Sequence, residues 1–202
     1  MKGKFIVLEG IDGSGKRSMC THIATFLMEK GYPVRRFEYP DYTSPWGTII
    51  HAFLSGQREL DVCTQFLTYA TDIIKDQHDM KKSIEHAWIL SDRYIPSTLA
   101  FQCARGFPLE QARAFTEIFT FLPPDIIFFL DVDPEIGKMR KKKQKNNLDR
   151  HETDISFLKN VNDMYYVLLN QKFLTDNWIR IDASRDYNKV VSAILSELEK
   201  IL

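Results

Sequence analysis

A glycine-rich stretch near the amino terminus has the residue types and spacing of a phosphate-binding loop. Residues 10–16 read GIDGSGK, the pattern G-x-x-x-x-G-K, between an apolar run and a helical pattern. Its glycines let backbone N–H groups close around phosphate oxygens, the helix amino terminus adds partial positive charge, and Lys16 reaches the outer phosphates. The expected phosphate-contacting residues are Gly10, Ile11, Asp12, Gly13, Ser14, Gly15, Lys16, Arg17 and Ser18.

The residue after Lys16 departs from this pattern. Arg17 stands where a Ser or Thr hydroxyl normally ligates Mg²⁺, and a cation cannot ligate a cation. Ser18 lies about 100° further around the helix. Two arrangements stay open: Mg²⁺ rests on substrate phosphates and waters with Asp92 as its anchor, or Arg17 itself contacts phosphate. The loop predicts nucleotide binding in either case.

A second candidate for phosphate chemistry is a strongly basic segment. Residues 135–150 hold seven basic and two acidic residues, a net charge of +5 in a chain whose formal charge is zero. One interpretation is the solvated face of a helix. The other is a lid over about residues 138–153 that closes over a nucleotide and brings charge to a transferring phosphoryl group. The candidate catalytic cations of that lid are Lys141, Lys142 and Lys143.

The elements that position these residues alternate along the chain. Apolar runs at residues 5–8, 34–39, 88–90, 126–130 and 178–181 predict five strands, and helical patterns occur at 16–30, 46–55, 60–86, 108–121, 135–145, 154–174 and 186–202. Strands that are apolar on both faces and separated by helices predict an α/β fold with a parallel sheet between two helical layers. The polar clusters at 9–16, 39–42, 91–94 and 131–133 all follow strands, at the edge where such sheets bind ligands.

Composition limits the remaining possibilities. The 202 residues carry 27 basic and 27 acidic side chains, which argues against a general nucleic-acid coat or a basic membrane binder. The longest apolar run, residues 126–130, is far shorter than the roughly 20 residues that span a bilayer. Cys20, Cys63 and Cys103 show no metal or disulfide spacing, which favours packed thiols in a reducing compartment. We therefore expect one cytoplasmic domain over residues 1–202.

Several blocks in fixed order resemble the thymidylate kinase family. They are residues 5–16 (FIVLEGIDGSGK), 39–47 (YPDYTSPWG), 91–102 (SDRYIPSTLAFQ) with 105–106 (RG), 124–137 (PDIIFFLDVDPEIG) and 149–152 (DRHE). The resemblance covers about residues 4–170. It implies a P-loop NTPase fold and transfer of the γ-phosphoryl group of ATP to dTMP, giving dTDP and ADP, with Mg²⁺ as cofactor. It also implies a homodimer, for which the helix around residues 61–74 is a candidate face.

The resemblance also implies roles for individual residues. Asp12, Lys16 and Arg93 match catalytic positions, with Arg93 gripping the acceptor phosphate and Asp92 holding Mg²⁺ through water. The expected dTMP-binding residues are Asp12, Tyr39, Tyr42, Phe66, Tyr69, Arg93, Ser97, Thr98, Phe101 and Gln102. Simpler interpretations remain for some of them: Asp12 as a turn-capping residue, Asp92 and Arg93 as a strand-end ion pair, and Phe101 as plain core.

Two departures from the family pattern bear on specificity and rate. Members of the family have an arginine that contacts the thymine, but residues 66–75 (FLTYATDIIK) contain no arginine. The nearest basic side chain is Lys75, and Phe66 or Tyr69 could still stack on the pyrimidine. Position 13 is Gly, so the loop lacks the arginine that some members place there. Because lysine gives charge without a planar fork, we expect a slow kinase. A kinase for another nucleotide or nucleoside, or a catalytically silent nucleotide-binding homologue, stays open.

Overall fold

The computed structural model describes residues 2–144 and 149–202. The strands are β1 (Phe5–Glu9), β2 (Val34–Glu38), β3 (Trp88–Asp92), β4 (Ile126–Asp131) and β5 (Trp178–Asp182). The helices in the described ranges are α1 (Lys16–Glu29), α2 (Pro45–Leu54), α3 (Val62–Ile74), α4 (Gln77–Ser83), α5 (Ile95–Cys103), α6 (Leu109–Phe119), α7 (Pro134–Gln144), α8 (Arg150–Thr153), α9 (Ile155–Asn170) and α10 (Tyr187–Glu199).

The five strands form one parallel sheet in the order β2-β3-β1-β4-β5. All residues of β1 and β3 are buried, and successive side chains point to opposite faces, so helices must cover both faces of the sheet. The predicted α/β fold with a five-stranded parallel sheet is confirmed. After β1 the chain builds one half of the sheet and then crosses β1 to build the other, which opens a crevice at the carboxyl end of β1.

Most helix boundaries lie within a few residues of the predicted ones, but the long helix predicted over 60–86 was wrong. It is two helices, α3 and α4, with Lys75 and Asp76 at the break. The Lys75 ammonium donates to the carbonyl of Asp72 and to the carboxylate of Asp76, and the Tyr39 hydroxyl donates to Asp76 at 3.0 Å. These contacts tie the break to the loop after β2.

The sequence patterns also missed helix α5. Its residues from Ile95 to Gln102 are all buried, so the segment lacks the polar stripe by which a surface helix is recognised, and Pro96 lies in its first turn. This helix carries four of the predicted nucleotide-binding residues into the crevice.

The predicted lid corresponds to α7, α8 and the residues between them. Residues 145–148, which include the predicted lid cation Lys145, lie outside the described residues. Over the described part of the chain, no helix combines the length and apolar character needed to cross a membrane.

Candidate active site

The loop after β1 wraps around a buried ammonium group. Lys16 is the first residue of α1, and its Nζ donates to the carbonyls of Gly10 and Ile11, both at 3.0 Å. Burial lowers the pKa of Lys16 to about 8, and the charge of Arg93 acts in the same direction. The loop therefore has the curled backbone and internal lysine expected of a phosphate cradle.

Gly13 brings this loop into direct contact with the root of α7. Its φ angle is +80°, and a Cβ atom at this position would lie 2.2 Å from the carbonyl oxygen of Gly137. A side chain at position 13 would therefore displace either the loop or the helix. The contact holds the start of the basic segment against the phosphate loop.

Arg17 points away from the buried end of the cavity. Its side chain is 76% exposed and forms an ion pair with Glu38, the last residue of β2. Ser18 is exposed, and both residues line the outer wall of a cavity at the phosphate loop. The pairing with Glu38 accounts for the position of the arginine that replaces the usual hydroxyl.

Asp92 ends β3 and lines the same cavity, next to Gly13, Gly15 and Lys16. The side chain is buried, and no hydrogen bond reaches its carboxylate from the described residues. Burial raises its pKa, and the charge of Lys16 partly opposes this. The described residues contain no group of three or more His, Cys, Asp or Glu side chains able to hold a metal ion. One unpaired carboxylate fits Mg²⁺, which keeps several waters and takes other ligands from phosphates.

Arg93 joins the phosphate loop to α5. It has a left-handed backbone with φ +68°, and its Nη2 donates to Asp12 at 3.0 Å. Its Nη1 donates to the carbonyl of Gly10 at 2.8 Å and to the hydroxyl of Ser97 at 3.1 Å. Burial alone would raise the pKa of Asp12, but the charges of Arg93, Lys16 and Lys141 lower it well below its usual range. Asp12 is therefore a carboxylate among cations.

Glu9 supports this arrangement; the sequence analysis placed it in the polar cluster at residues 9–16 but gave it no role of its own. It is fully buried at the end of β1 and accepts hydrogen bonds from the Tyr94 N–H at 2.9 Å, the Tyr165 hydroxyl at 3.0 Å, and the N–H and hydroxyl of Ser97. Burial raises the pKa of Glu9 to about 7, against the lowering effect of its Ser97 hydrogen bond. The available signal was an acidic residue ending an otherwise apolar strand.

A second cavity opens beside the first, between α3, α5 and α8. Nine of the ten predicted dTMP-binding residues line it: Asp12, Tyr39, Tyr42, Tyr69, Arg93, Ser97, Thr98, Phe101 and Gln102. The two cavities share Asp12 and Arg93 in their walls. Two binding spaces that meet at one carboxylate–guanidinium pair are suited to passing a group from one bound molecule to another.

Comparison with known proteins agrees with this geometry. The family model described as "Thymidylate kinase" matches residues 8–194. The chain belongs to the thymidylate kinase family. It is 32% identical over 202 residues to the "Probable thymidylate kinase" of Staphylothermus marinus, covering 99% of this chain and 94% of that protein. It is similarly 32% identical to the "Thymidylate kinase" of Leptospira interrogans (96% and 95% covered) and 30% identical to that of Arabidopsis thaliana (98% and 73%).

Helix α3 provides one of the two aromatic side chains that the sequence predicted for the nucleotide pocket of a thymidylate kinase. Phe66 is not in the wall of the second cavity, because its ring is stacked on Phe107 with centroids 4.2 Å apart, inside the core. Tyr69, one turn later, does line the cavity, and Ile73 lines it after a further turn. Of the two aromatic side chains considered for stacking, only Tyr69 faces the cavity.

Lys75 does not replace the missing arginine of the thymidylate kinase pattern. Its Nζ lies among three carboxylates, 2.7 Å from Asp76, 3.2 Å from Asp72 and 3.3 Å from Asp41, and it lines neither cavity. The second cavity does offer the side chain of Gln102, whose two amide atoms are buried and have no hydrogen-bond partner in the described part of the chain. An unpaired amide on a cavity wall is available to a ligand.

The three consecutive lysines predicted for the lid of a thymidylate kinase, Lys141, Lys142 and Lys143, point in different directions because they lie on one helix, α7. Lys141 lines the phosphate cavity, and its Nζ is 3.9 Å from Asp12 Oδ1. Lys142 and Lys143 are exposed and line neither cavity. Successive residues lie about 100° apart on a helix, so one of three neighbours faces the site.

Proposed function

We propose that this protein is a dTMP kinase that transfers the γ-phosphoryl group of ATP to dTMP, giving dTDP and ADP. The observation that carries the proposal is the junction of the two cavities at Asp12 and Arg93. The phosphate loop lines one cavity. Aromatic side chains and an amide line the other, which suits a nucleoside. Membership of the thymidylate kinase family supports the same assignment.

On the donor side, we assign the ATP phosphates to the loop of residues 10–18. Gly13, Gly15 and the first residues of α1 line the cavity, and Lys16 supplies a buried positive charge. Phosphoryl transfer depends mainly on positioning and on charge stabilisation. A curled loop that surrounds its lysine is suited to both tasks.

On the acceptor side, Arg93 is the residue to hold the phosphate of dTMP. Its two terminal nitrogens match a planar oxygen pair, and their present acceptors include Asp12 and Ser97. Tyr42 lines both cavities and is half exposed, and we assign it to the entrance of this phosphate position. Asp12 balances the charge of Arg93 and orients the guanidinium toward the donor loop.

Asp92 is the residue to hold Mg²⁺, through water. Bound there, the ion would supply positive charge to the donor phosphates during the transfer. Arg17 stays outside that position because Glu38 holds its guanidinium at the cavity wall. Mg²⁺ could therefore be held by Asp92 even though the loop has Arg17 in place of the usual Ser or Thr hydroxyl.

We propose that about residues 138–153 form a lid, with Lys141 as the cation that approaches the transferring group. Its ammonium is within 4 Å of Asp12, whereas Lys142 and Lys143 are exposed. An ammonium gives charge without the bidentate geometry of arginine, which predicts slow turnover.

For the nucleoside, Gln102 is the candidate base-reading residue, and Tyr69 and Phe101 provide the aromatic walls. Thr98 is buried on the same helix and lines the pocket. Ser97 acts through its neighbours, because its hydroxyl is already bonded to Glu9 and Tyr165. Recognition by an amide in place of an arginine suits the uncharged edge of a pyrimidine.

We further propose a cytoplasmic homodimer. Leu67 on α3 and Ile118 and Phe119 on α6 are exposed apolar side chains, the last two 74% and 49% exposed. Exposed apolar groups on neighbouring helices are suited to an isologous interface. The three cysteines are free thiols, as expected for a reducing compartment.

A coupled ADP-release assay tests the reaction. ATP and Mg²⁺ are supplied with dTMP, dUMP, dCMP, dGMP, AMP or thymidine, alongside a reaction without acceptor and a Lys16→Ala control. We expect turnover with dTMP well above every other acceptor. Faster turnover with another monophosphate would move the protein to a different kinase specificity, and ATP binding without any turnover would favour a nucleotide-binding homologue.

A further inference from the structure

The acceptor pocket holds a histidine to which none of these roles is assigned. His151, the second residue of α8, is 4% exposed and lines the pocket. Its ring packs among three phenylalanines, with centroid distances of 5.2 Å to Phe157, 5.5 Å to Phe101 and 5.9 Å to Phe53. Its backbone N–H donates to the carboxylate of Asp149 at 2.9 Å. Packing and backbone together fix the ring in the pocket wall.

The Nε2 atom of His151 is buried and has no hydrogen-bond partner in the described part of the chain. An unpaired buried nitrogen lowers stability, whereas an apolar side chain could fill the same space between the phenylalanines without that cost. A polar atom kept unpaired in a binding pocket is available for a bound molecule.

The charges that face the ring determine its chemical form. Burial lowers the pKa of His151 to about 3, with Arg105, Arg93 and Arg150 acting in the same direction and Asp12 acting against them. The imidazole is therefore neutral near pH 7, with one donor and one acceptor nitrogen. A neutral ring suits an uncharged group, while Arg93 remains the cation for the phosphate.

We propose that Nε2 of His151 hydrogen-bonds the nucleoside part of the acceptor nucleotide and that His151 is a specificity-determining residue of this pocket. The Phe101 ring connects His151 with the proposed phosphate position. The Arg93 guanidinium is 5.0 Å from the centroid of this ring, and the His151 ring contacts it as well. The partner group is a sugar hydroxyl or a polar atom of the base. The inference rests on the proposed function, in which the acceptor is dTMP.

The test is calorimetric titration of dTMP and of ATP into the wild-type protein, His151→Leu and His151→Gln. His22→Leu is the matched control, since His22 is exposed on α1 and lines neither cavity. We expect His151→Leu to weaken dTMP binding about three- to tenfold, the range of one neutral hydrogen bond, while ATP affinity is unchanged. The Tm of His151→Leu is expected to stay level or rise. His151→Gln should recover part of the lost affinity.

A 3′-deoxy analogue of dTMP locates the partner group. If the effect of His151→Leu disappears with that analogue, the partner is the sugar hydroxyl; if the effect persists, the partner is the base. Unchanged dTMP affinity in His151→Leu would overturn the inference, as would a lowered Tm with no recovery by His151→Gln, which indicates packing. In both cases wild-type turnover of dTMP leaves the proposed function intact. A wild-type protein that does not bind dTMP would contradict the proposed function instead, and the same variants are then titrated with the monophosphate that it phosphorylates.

Discussion

The guanidinium of Arg17 is paired with the carboxylate of Glu38, which lines the phosphate cavity in register with the unpaired Asp92 on the neighbouring strand. The loop therefore carries an extra positive charge at the position of a metal-ligating hydroxyl, and a strand-end glutamate compensates it. Because the cavity holds both the added cation Arg17 and the carboxylate of Asp92, we expect the Mg²⁺ dependence of the rate to change when Arg17 is replaced.

Replacing Arg17 with Thr should lower the Mg²⁺ concentration needed for half-maximal rate by about fivefold. The change removes a unit charge near the cation, worth on the order of 1 kcal/mol through water, and supplies a hydroxyl. Initial rates at fixed ATP over a Mg²⁺ series measure the effect. The matched control is Arg36→Thr, since Arg36 is also an exposed arginine but lies on β2 and lines neither cavity. Equal Mg²⁺ responses in the two variants would contradict the prediction.

Replacing Arg93 with Lys should lower kcat/KM for dTMP by about 100-fold or more while the KM for ATP changes little. The guanidinium bonds at once to Asp12, Gly10 and Ser97, and an ammonium cannot reproduce that planar arrangement or the bidentate grip on phosphate. A loss of this size corresponds to about 2.7 kcal/mol in the transition state. Steady-state kinetics check it, with Arg113→Lys as the control because Arg113 lines neither cavity; a loss of less than tenfold would refute the assigned role.

Among the lid lysines, Lys141→Ala should lower kcat on the order of tenfold, whereas Lys142→Ala and Lys143→Ala should have small effects. Of these three residues, all in the described part of the chain, only Lys141 lines the phosphate cavity beside Asp12. Pre-steady-state phosphoryl transfer separates this effect from product release. If the triple alanine variant retains full turnover, the lid lysines have no part in catalysis.

The buried Glu9 should make stability fall as pH rises. Its folded pKa of about 7 lies above its usual value, so between about pH 4.5 and 7 the folded state holds a proton that the unfolded state has lost. Glu9→Gln should therefore gain stability relative to the wild type as pH increases across that window, by up to about 3 kcal/mol. Denaturant unfolding at pH 5 and pH 8 measures the difference, which isolates Glu9 from other titrating groups. A difference that does not change with pH would show that Glu9 is not protonated in the fold.

The strands and the phosphate loop could be predicted from the sequence because their signals are local. Five consecutive buried residues in β1 and the glycines that follow leave few other structures for that stretch. Helix α5 could not be found in the same way. Periodicity detects a helix only when one side meets water, and this helix is buried from Ile95 to Gln102.

Within the site, sequence identified residue types but not which of several neighbours faces the cavity. Phe66 and Tyr69 lie one turn apart on α3, yet the first packs on Phe107 and the second reaches the cavity. Lys141 and Lys142 differ in the same manner. Such choices are decided by the packing of one helix against others, information that no local spacing contains.

Glu9 shows a different gap. A glutamate at the end of an apolar strand is usually a boundary signal, and its four donors come from the segment 94–97 and from Tyr165, far away in the chain. The partners that make the carboxylate tolerable in the core meet only after the sheet and α9 have assembled.

The contact between Gly13 and Gly137 makes two catalytic designs mutually exclusive in this protein. An arginine grafted onto position 13 would meet the backbone of α7 at its first side-chain atom. An arginine at position 13 could be accommodated only if α7, the helix that carries the basic residues on the other side of the contact, moved away from the loop. Because this backbone contact joins the two segments, a displacement of the phosphate loop would also displace the start of α7, at the base of the proposed lid.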